Sequence, residues 1–289
     1  MDAPNKQSDE QLWNAERLRN PHAVTDKQKR VQQMFAAIAP RYDLNNRLWS
    51  FGTDQRWRKK AVKLSRLKAD DVVVDVACGT GDLSQLWFRG LWHLLMKSLK
   101  PTDRWGRWPA ASQVVGVDYT REMLAIADRK RLPWKGGIEF IEQAEVAERE
   151  GITYLQGDAQ NLPLPDACCD VVSIAFGIRN VADSAKAYRE FRRVLRPGGR
   201  VVVLEFSKPT NKLIRLGYDF YFNHILTRMA SVVARDKTGA YRYLASSVET
   251  FKPREQMVSE LEEAGFANVQ ATPLTFGVAV IYVGEVASG

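Results

Sequence analysis

Hydrophobic residues in this chain keep two different beats. Residues 72–76, 114–118, 152–158, 170–176 and 201–206 are short runs, most of them rich in valine and isoleucine and bounded by glycine or an acid, the pattern of strands buried on both faces. The stretches between them, such as the one from Leu83 and residues 184–195, repeat apolar residues at helical spacing. Strand and helix in alternation predict an α/β fold with a doubly wound, mostly parallel sheet. Two last runs, 269–272 and 278–283, bring the strands to seven, the final one antiparallel.

Upstream of the first strand the pattern is helical. Val31, Met34, Phe35 and Ile38 share a face until Pro40 ends it, and a polar and aromatic segment, residues 41–52, leads into a basic helix over 55–67 with Trp57, Ala61, Leu64 and Leu67 inward. These helices lie outside the winding of the sheet and are placed to roof its edge as a helical lid, together with the aromatic-rich helix over 213–234. Residues 1–26 are polar and aperiodic and predict a flexible leader. Residues 27–289 then form a single domain carrying two insertions, 88–112 and 137–150.

Length and composition narrow the class. The 289 residues suffice for one large domain with its own core, and 45% hydrophobic with 26% charged residues is ordinary for a soluble protein. No apolar run approaches the roughly 20 residues of a spanning helix, which predicts a cytoplasmic protein, peripheral at most to the inner face of the cell membrane. Cys78, Cys168 and Cys169 have no metal-like spacing, so no metal is expected. The net charge of +8 is local, since nine bases between Arg41 and Lys68 face only two acids. Such a patch suits an anionic bilayer, nucleic acid or water alone.

Candidate chemistry gathers where the first strand ends, at Asp75-Val-Ala-Cys-Gly-Thr-Gly-Asp82. Gly79 and Gly81 flank Thr80 in a tight turn opening a helix, a place for a cofactor. Ser84 stands where a dinucleotide turn has its third glycine, and Asp75, Asp118 and Asp158 close three strand-like runs. Three carboxylates around one crevice repel a pyrophosphate and suit a ligand bearing a sulfonium and an ammonium, which is S-adenosylmethionine. Asp118 is placed to accept from both ribose hydroxyls. It lies 37 residues beyond Gly81, against roughly 20 in nucleotide folds, hence the insertion at 88–112.

With these elements the sequence resembles the Rossmann-like class I methyltransferases, and more narrowly the ubiquinone/menaquinone biosynthesis C-methyltransferase family. The motifs are Arg41-Tyr-Asp-Leu-Asn-Asn46, the glycine turn, Leu162-Pro-Leu-Pro-Asp166, Ala175-Phe-Gly-Ile-Arg-Asn180, Leu195-Arg-Pro-Gly-Gly199, Leu204-Glu-Phe-Ser-Lys-Pro209 and Tyr241-Arg-Tyr-Leu244. The resemblance implies methylation of a ring carbon of a prenylated quinol, with cofactor positions at Thr80, Asp118, Asp158 and Ala159. It departs at Ala175, where such proteins often carry serine, so that one hydrogen bond is missing or comes from Ser173. Residues 274–278 look closer to menaquinone-type members, which points to demethylmenaquinol.

A ring carbon attacks only if its neighbouring hydroxyl gives up a proton, and a phenol titrates near ~10. Arg179, just past strand four, is expected to stabilise the phenolate, Asn180 to hold the other oxygen, and Tyr42 to orient the ring or relay the proton. His224 on the aromatic helix is a second candidate base. The expected partners are a prenylated quinol and a lipid surface beneath the helix over 56–68, with a homodimer left open and nucleic acid disfavoured, because residues 176–180 lack the Pro-Pro-aromatic clamp of exocyclic-amine methyltransferases. A ubiquinone-pathway benzoquinol C-methyltransferase, another small-molecule O- or N-methyltransferase, and a non-catalytic protein on the same fold are the competing readings.

Overall fold

The computed structural model describes residues 12–14, 16–98, 113–130, 151–211, 214–217 and 239–288. Its centre is a seven-stranded sheet in the order β3-β2-β1-β4-β5-β7-β6, with β1 Val73–Val76, β2 Val114–Asp118, β3 Ile152–Gln156, β4 Cys169–Ala175, β5 Leu195–Phe206, β6 Ala267–Leu274 and β7 Ala279–Glu285. β7 inserts antiparallel between β5 and β6, and the other pairs are parallel. The helices are α1 Lys27–Ile38, α2 Tyr42–Trp49, α3 Thr53–Leu64, α4 Asp82–Ser98, α5 Arg121–Arg129, α6 Ser184–Val194, α7 Ala240–Glu249 and α8 Arg254–Glu263.

Side chains of successive strand residues point to opposite faces, so β1 feeds two cores. Val74 and Val76 pack with Tyr188, Phe191 and Val194 of α6, while Val73 packs with Trp57 and Ala61 of α3 and with Leu83, Trp87 and Leu91 of α4. The parity also decides Asp75. It faces the α3/α4 layer, where its carboxylate accepts from Ser84 Oγ (2.6 Å) and Ser173 Oγ (2.7 Å) at 1% exposure. It therefore ties helix α4 to two strands from below the crevice, and the expected ring of three acids is two.

Two expected boundaries move. The flexible leader is ordered from residue 12 where described: Trp13 is fully buried, its ring 4.2 Å from that of Tyr243, in a third apolar cluster with Val31, Met34 and Ala240. An indole repays ordering of a polar segment because it buries a large apolar area. Residues 88–98, expected to open an insertion, are the last turns of α4, which continues unbroken to Ser98 with Leu91 at 1% exposure. Residues 99–112 and 137–150 lie outside the described residues, as does the helix over 213–234 apart from residues 214–217, and with it His224. Among the described residues no helix is long and apolar enough to cross a membrane.

Candidate active site

The strand order reverses between β1 and β4, and a ligand crevice belongs at that switch point, beyond the carboxyl ends of the strands. A cleft open to solvent lies there, the concave kind of site that takes a small-molecule ligand. Its floor is Ala77 and Gly79 after β1, Asp118 and Thr120 around the end of β2, Asp158 and Ala159 after β3, and Ala175, Phe176 and Asn180 around the end of β4. Its roof is the inner face of α1, Gln28, Val31, Gln32 and Phe35, with Tyr42 from α2. Thus the roof expected from the apolar stripe of α1 is present, and the same stripe buries Met34 on its far side.

Two loops meet tightly under this cavity. A Cβ on Gly177 would stand 2.6 Å from Ala77 Cβ and 3.0 Å from Ile174 Cγ1, so only glycine lets the turn after β4 approach the turn after β1. Ala77 and Phe176 both take left-handed backbone (φ 50° and 58°), a conformation that costs an L-residue of order 1–2 kcal/mol and recurs at ligand sites.

The acids are held differently. Asp118 accepts the amides of Gly79 and Thr120, both at 2.8 Å, and so pins the glycine turn to the end of β2 while its remaining lone pairs face the cavity wall. Burial raises its pKa and those backbone amides oppose the rise. Asp158 accepts from Gln28 Nε2 of the roof (2.7 Å) and from the Gln160 amide (2.9 Å). Burial pushes Asp75 up to about 6 against its two serine donors. Thr80 and Gly81, expected to touch cofactor, do not line the cavity. Thr80 Oγ1 donates to Asp43, which with Asp82 holds Lys130 Nζ at 2.6 Å each, a latch from roof to glycine turn. Burial works to raise Asp82, yet the Lys130 ammonium holds it below the ordinary range. Gly81 instead makes room for Tyr154.

At the acceptor end the structure separates the expected trio. Tyr42 and Asn180 line the cavity. Arg179 does not: its guanidinium, 3% exposed, donates to Glu205 Oε1 (2.7 Å) and to the Phe176 carbonyl (2.7 Å). Its charge is paired with a buried carboxylate from β5, outside the lining of the cavity. Asn180 Oδ1 accepts from Tyr243 OH (2.9 Å), which leaves its amide nitrogen as donor toward the Phe176 carbonyl and the cavity. Burial raises the Tyr42 pKa, keeping it a hydrogen-bond donor.

Sequence reasoning passed over Lys27 and His22. Lys27 Nζ, on a residue only 3% exposed, donates to the carbonyls of Arg179 (2.8 Å) and Val181 (2.7 Å) and reaches His22 Nδ1 (3.3 Å). It thus grips the backbone on both sides of Asn180 from the first residue of the roof helix. Burial, with Arg179 and Lys252 nearby, lowers Lys27 to about 8, and burial with Lys27 lowers His22 to about 4. A cation at a helix N-terminus opposes the helix dipole, and that local misfit was the available signal.

Residues 23–285 match the ubiE/COQ5 methyltransferase family. The demethylmenaquinone methyltransferase of Thermus thermophilus is 43% identical over 254 residues, 87% of this chain and 99% of that protein. The ubiquinone/menaquinone biosynthesis C-methyltransferase UbiE of Geobacter sulfurreducens is 38% identical over 91% of each. Among solved structures, a SAM-dependent methyltransferase of Thermotoga maritima, described as a possible histamine N-methyltransferase, superposes with a TM-score of 0.51 at 18% identity, covering 88% of this chain and 99% of that one, a likeness of fold alone.

Proposed function

From the premise that the chain belongs to the ubiE/COQ5 methyltransferase family, we propose that it methylates a ring carbon of a prenylated quinol with S-adenosylmethionine, demethylmenaquinol being the substrate. The observation that carries this reading is the cavity: two acids on its floor at the switch point, aromatic and aliphatic walls, and uncharged polar groups, Asn180 and Tyr42, at its acceptor end.

The residues present fit the donor. Asp118 retains lone pairs for ribose hydroxyls, Asp158 adds negative charge, Gly79 gives the turn its left-handed backbone (φ 57°), and Ala159 and Ala175 leave space. S-adenosylmethionine supplies an electrophilic methyl group on a sulfonium. The chain's own groups orient the acceptor: Asn180 Nδ2 and the Tyr42 hydroxyl hold its oxygens, and the roof of α1 excludes water from the reacting carbon.

The acceptor's tail brings the enzyme to lipid by the carboxyl edge of the sheet. Leu44, Phe51 and Phe276 are 60%, 83% and 77% exposed there, with Arg41, Arg47 and Arg56 exposed around them. The basic helix does not lie flat on that surface. α3 spans the height of the sheet, from Trp57 Nε1 on Thr275 Oγ1 (2.9 Å) near the carboxyl edge to Ser65 O on Arg200 Nε (2.9 Å) at the other, so Lys63, Arg66 and Lys68 point to the far end.

The test is purified protein with labelled methyl donor and demethylmenaquinone, reduced or oxidised, with the product located by mass spectrometry. Carbon methylation of the reduced form alone is expected, and methyl on oxygen refutes the reading. Flotation with anionic but not neutral liposomes, weakened by Phe51→Ser, checks the lipid-facing edge.

A further inference from the structure

The buried stripe of α3 contains Asp54, Trp57, Arg58 and Ala61, and Arg58 alone among the bases of that helix is turned inward, at 7% exposure. Its Nε finds no hydrogen-bond acceptor, and its guanidinium makes no hydrogen bond to any described residue. The nearest carboxylate, Asp54, stands 3.7 Å from Nε, and its oxygens are already engaged, Oδ1 by Ser50 Oγ (2.8 Å) and Oδ2 by Gln55 Nε2 (3.0 Å). What Arg58 does touch is the face of Phe176, 5.2 Å from its guanidinium carbon; Phe176 lines the cavity beside Asn180, and Arg58 itself stands one residue back from that lining. Arg58 also works against burial at Tyr42, which puts its charge close to that phenol.

A guanidinium whose buried Nε has no acceptor and whose ion pair with Asp54 is a loose 3.7 Å is incompletely satisfied, and an unbonded buried donor is costly. Cation–π contact returns only about 0.5–2 kcal/mol. The contrast with Arg179 is direct: its Nη1 bonds Glu205 at 2.7 Å, whereas Arg58 meets Asp54 only at 3.7 Å and its Nε has no acceptor.

We propose that Arg58 binds an oxyanion of the reactants in this cavity, a planar two-oxygen carboxylate or an ionised ring oxygen. The proposal rests on the methyl-transfer reading, which offers both sources: the donor's amino-acid carboxylate and the quinol hydroxyl after it loses its proton. In the second case Arg58 takes over the charge-stabilising part that the sequence assigns to Arg179.

The experiment is Arg58→Met, with Arg58→Lys to keep the charge. Because Arg58→Met by itself strands the buried Asp54 carboxylate 3.7 Å away, stability is read on Arg58→Met with Asp54→Asn, which should melt close to the wild-type temperature; a clear fall of that double variant shows the guanidinium serving the fold and overturns the proposal. Calorimetry compares S-adenosylhomocysteine, which carries the carboxylate, with 5′-methylthioadenosine, which lacks it. A loss of tenfold or more for the first with the second unchanged assigns the donor carboxylate. Unchanged binding of both, with kcat down at least tenfold and recovering as pH rises, assigns the ring oxygen, and Arg58→Lys should regain part of either loss. No change in binding or in the pH profile overturns the proposal. Wild-type protein that binds S-adenosylhomocysteine yet methylates no quinol defeats the reaction instead, and the calorimetric arm still decides the fate of Arg58.

Discussion

Arg179→Met separates two accounts of the same residue. In the structure Arg179 and Glu205 meet at 2.7 Å with side chains 3% and 1% exposed, and Glu205 has as further donors the amides of Phe206 (2.8 Å) and Arg179 (3.3 Å). Removing the guanidinium leaves a buried carboxylate with those two amides alone. Breaking one side of such a pair costs about 3–5 kcal/mol, a large share of the roughly 5–15 kcal/mol that holds a domain folded. Replacing both partners, Arg179→Met with Glu205→Gln, leaves no buried charge and should recover most of that loss. Urea unfolding at pH 7 measures stability, and turnover is normalised to the folded fraction. The single variant is expected to be strongly destabilised, and the double variant close to wild type in stability with kcat within about fivefold, since 1 kcal/mol is about that factor in a rate. If the single variant unfolds within about 1 kcal/mol of wild type yet loses turnover, or if the double variant is stable and inactive, the guanidinium reaches the acceptor after all and its assignment to the fold is wrong.

Three shorter predictions follow from the same geometry. Asp118→Ala strands the amides of Gly79 and Thr120, at about 1–3 kcal/mol for each lost partner, and should weaken S-adenosylmethionine binding at least tenfold by calorimetry; unchanged affinity contradicts the placement of the ribose. Asp75 has a folded pKa near 6 against about 3.8 unfolded, so the native state binds its proton more tightly and wild-type stability falls by about 2 kcal/mol on this account as pH rises from 4 to 6. Asp75→Asn should remove that component, whereas His22, lowered to about 4, acts oppositely in the same window and is unaffected; identical pH dependence in wild type and variant refutes the burial argument. Gly177→Ala places a methyl 2.6 Å from Ala77 Cβ and should cost about 1–3 kcal/mol in urea unfolding, and an unchanged midpoint would show the two turns able to separate.

Periodicity alone determined most of the architecture here. Runs such as 72–76 and 170–176 are apolar on both faces, and only a parallel sheet covered on both sides buries them, so strand type, alternation and the crevice beyond Gly79 follow from local pattern. Asp118 and Asp158 were legible for the same reason: they close strands, and the carboxyl ends of strands converge on the switch point. What side chains do across the chain was not legible. Asp75 has the spacing of a crevice acid, but its parity in β1 turns it toward Ser84 and Ser173; Arg179 has the position of a catalytic arginine, but Glu205, 26 residues on, claims its charge. Trp13 and His22 looked like part of a polar leader until α1 and α7 closed over that segment, Lys27 looked like the start of an ordinary helix, and Arg58 looked like one base of a basic patch until α3 turned it inward. Local sequence sets which residues form an element and which end meets the crevice; whether a charge there is spent or available depends on partners that only the packed tertiary structure brings within 3 Å.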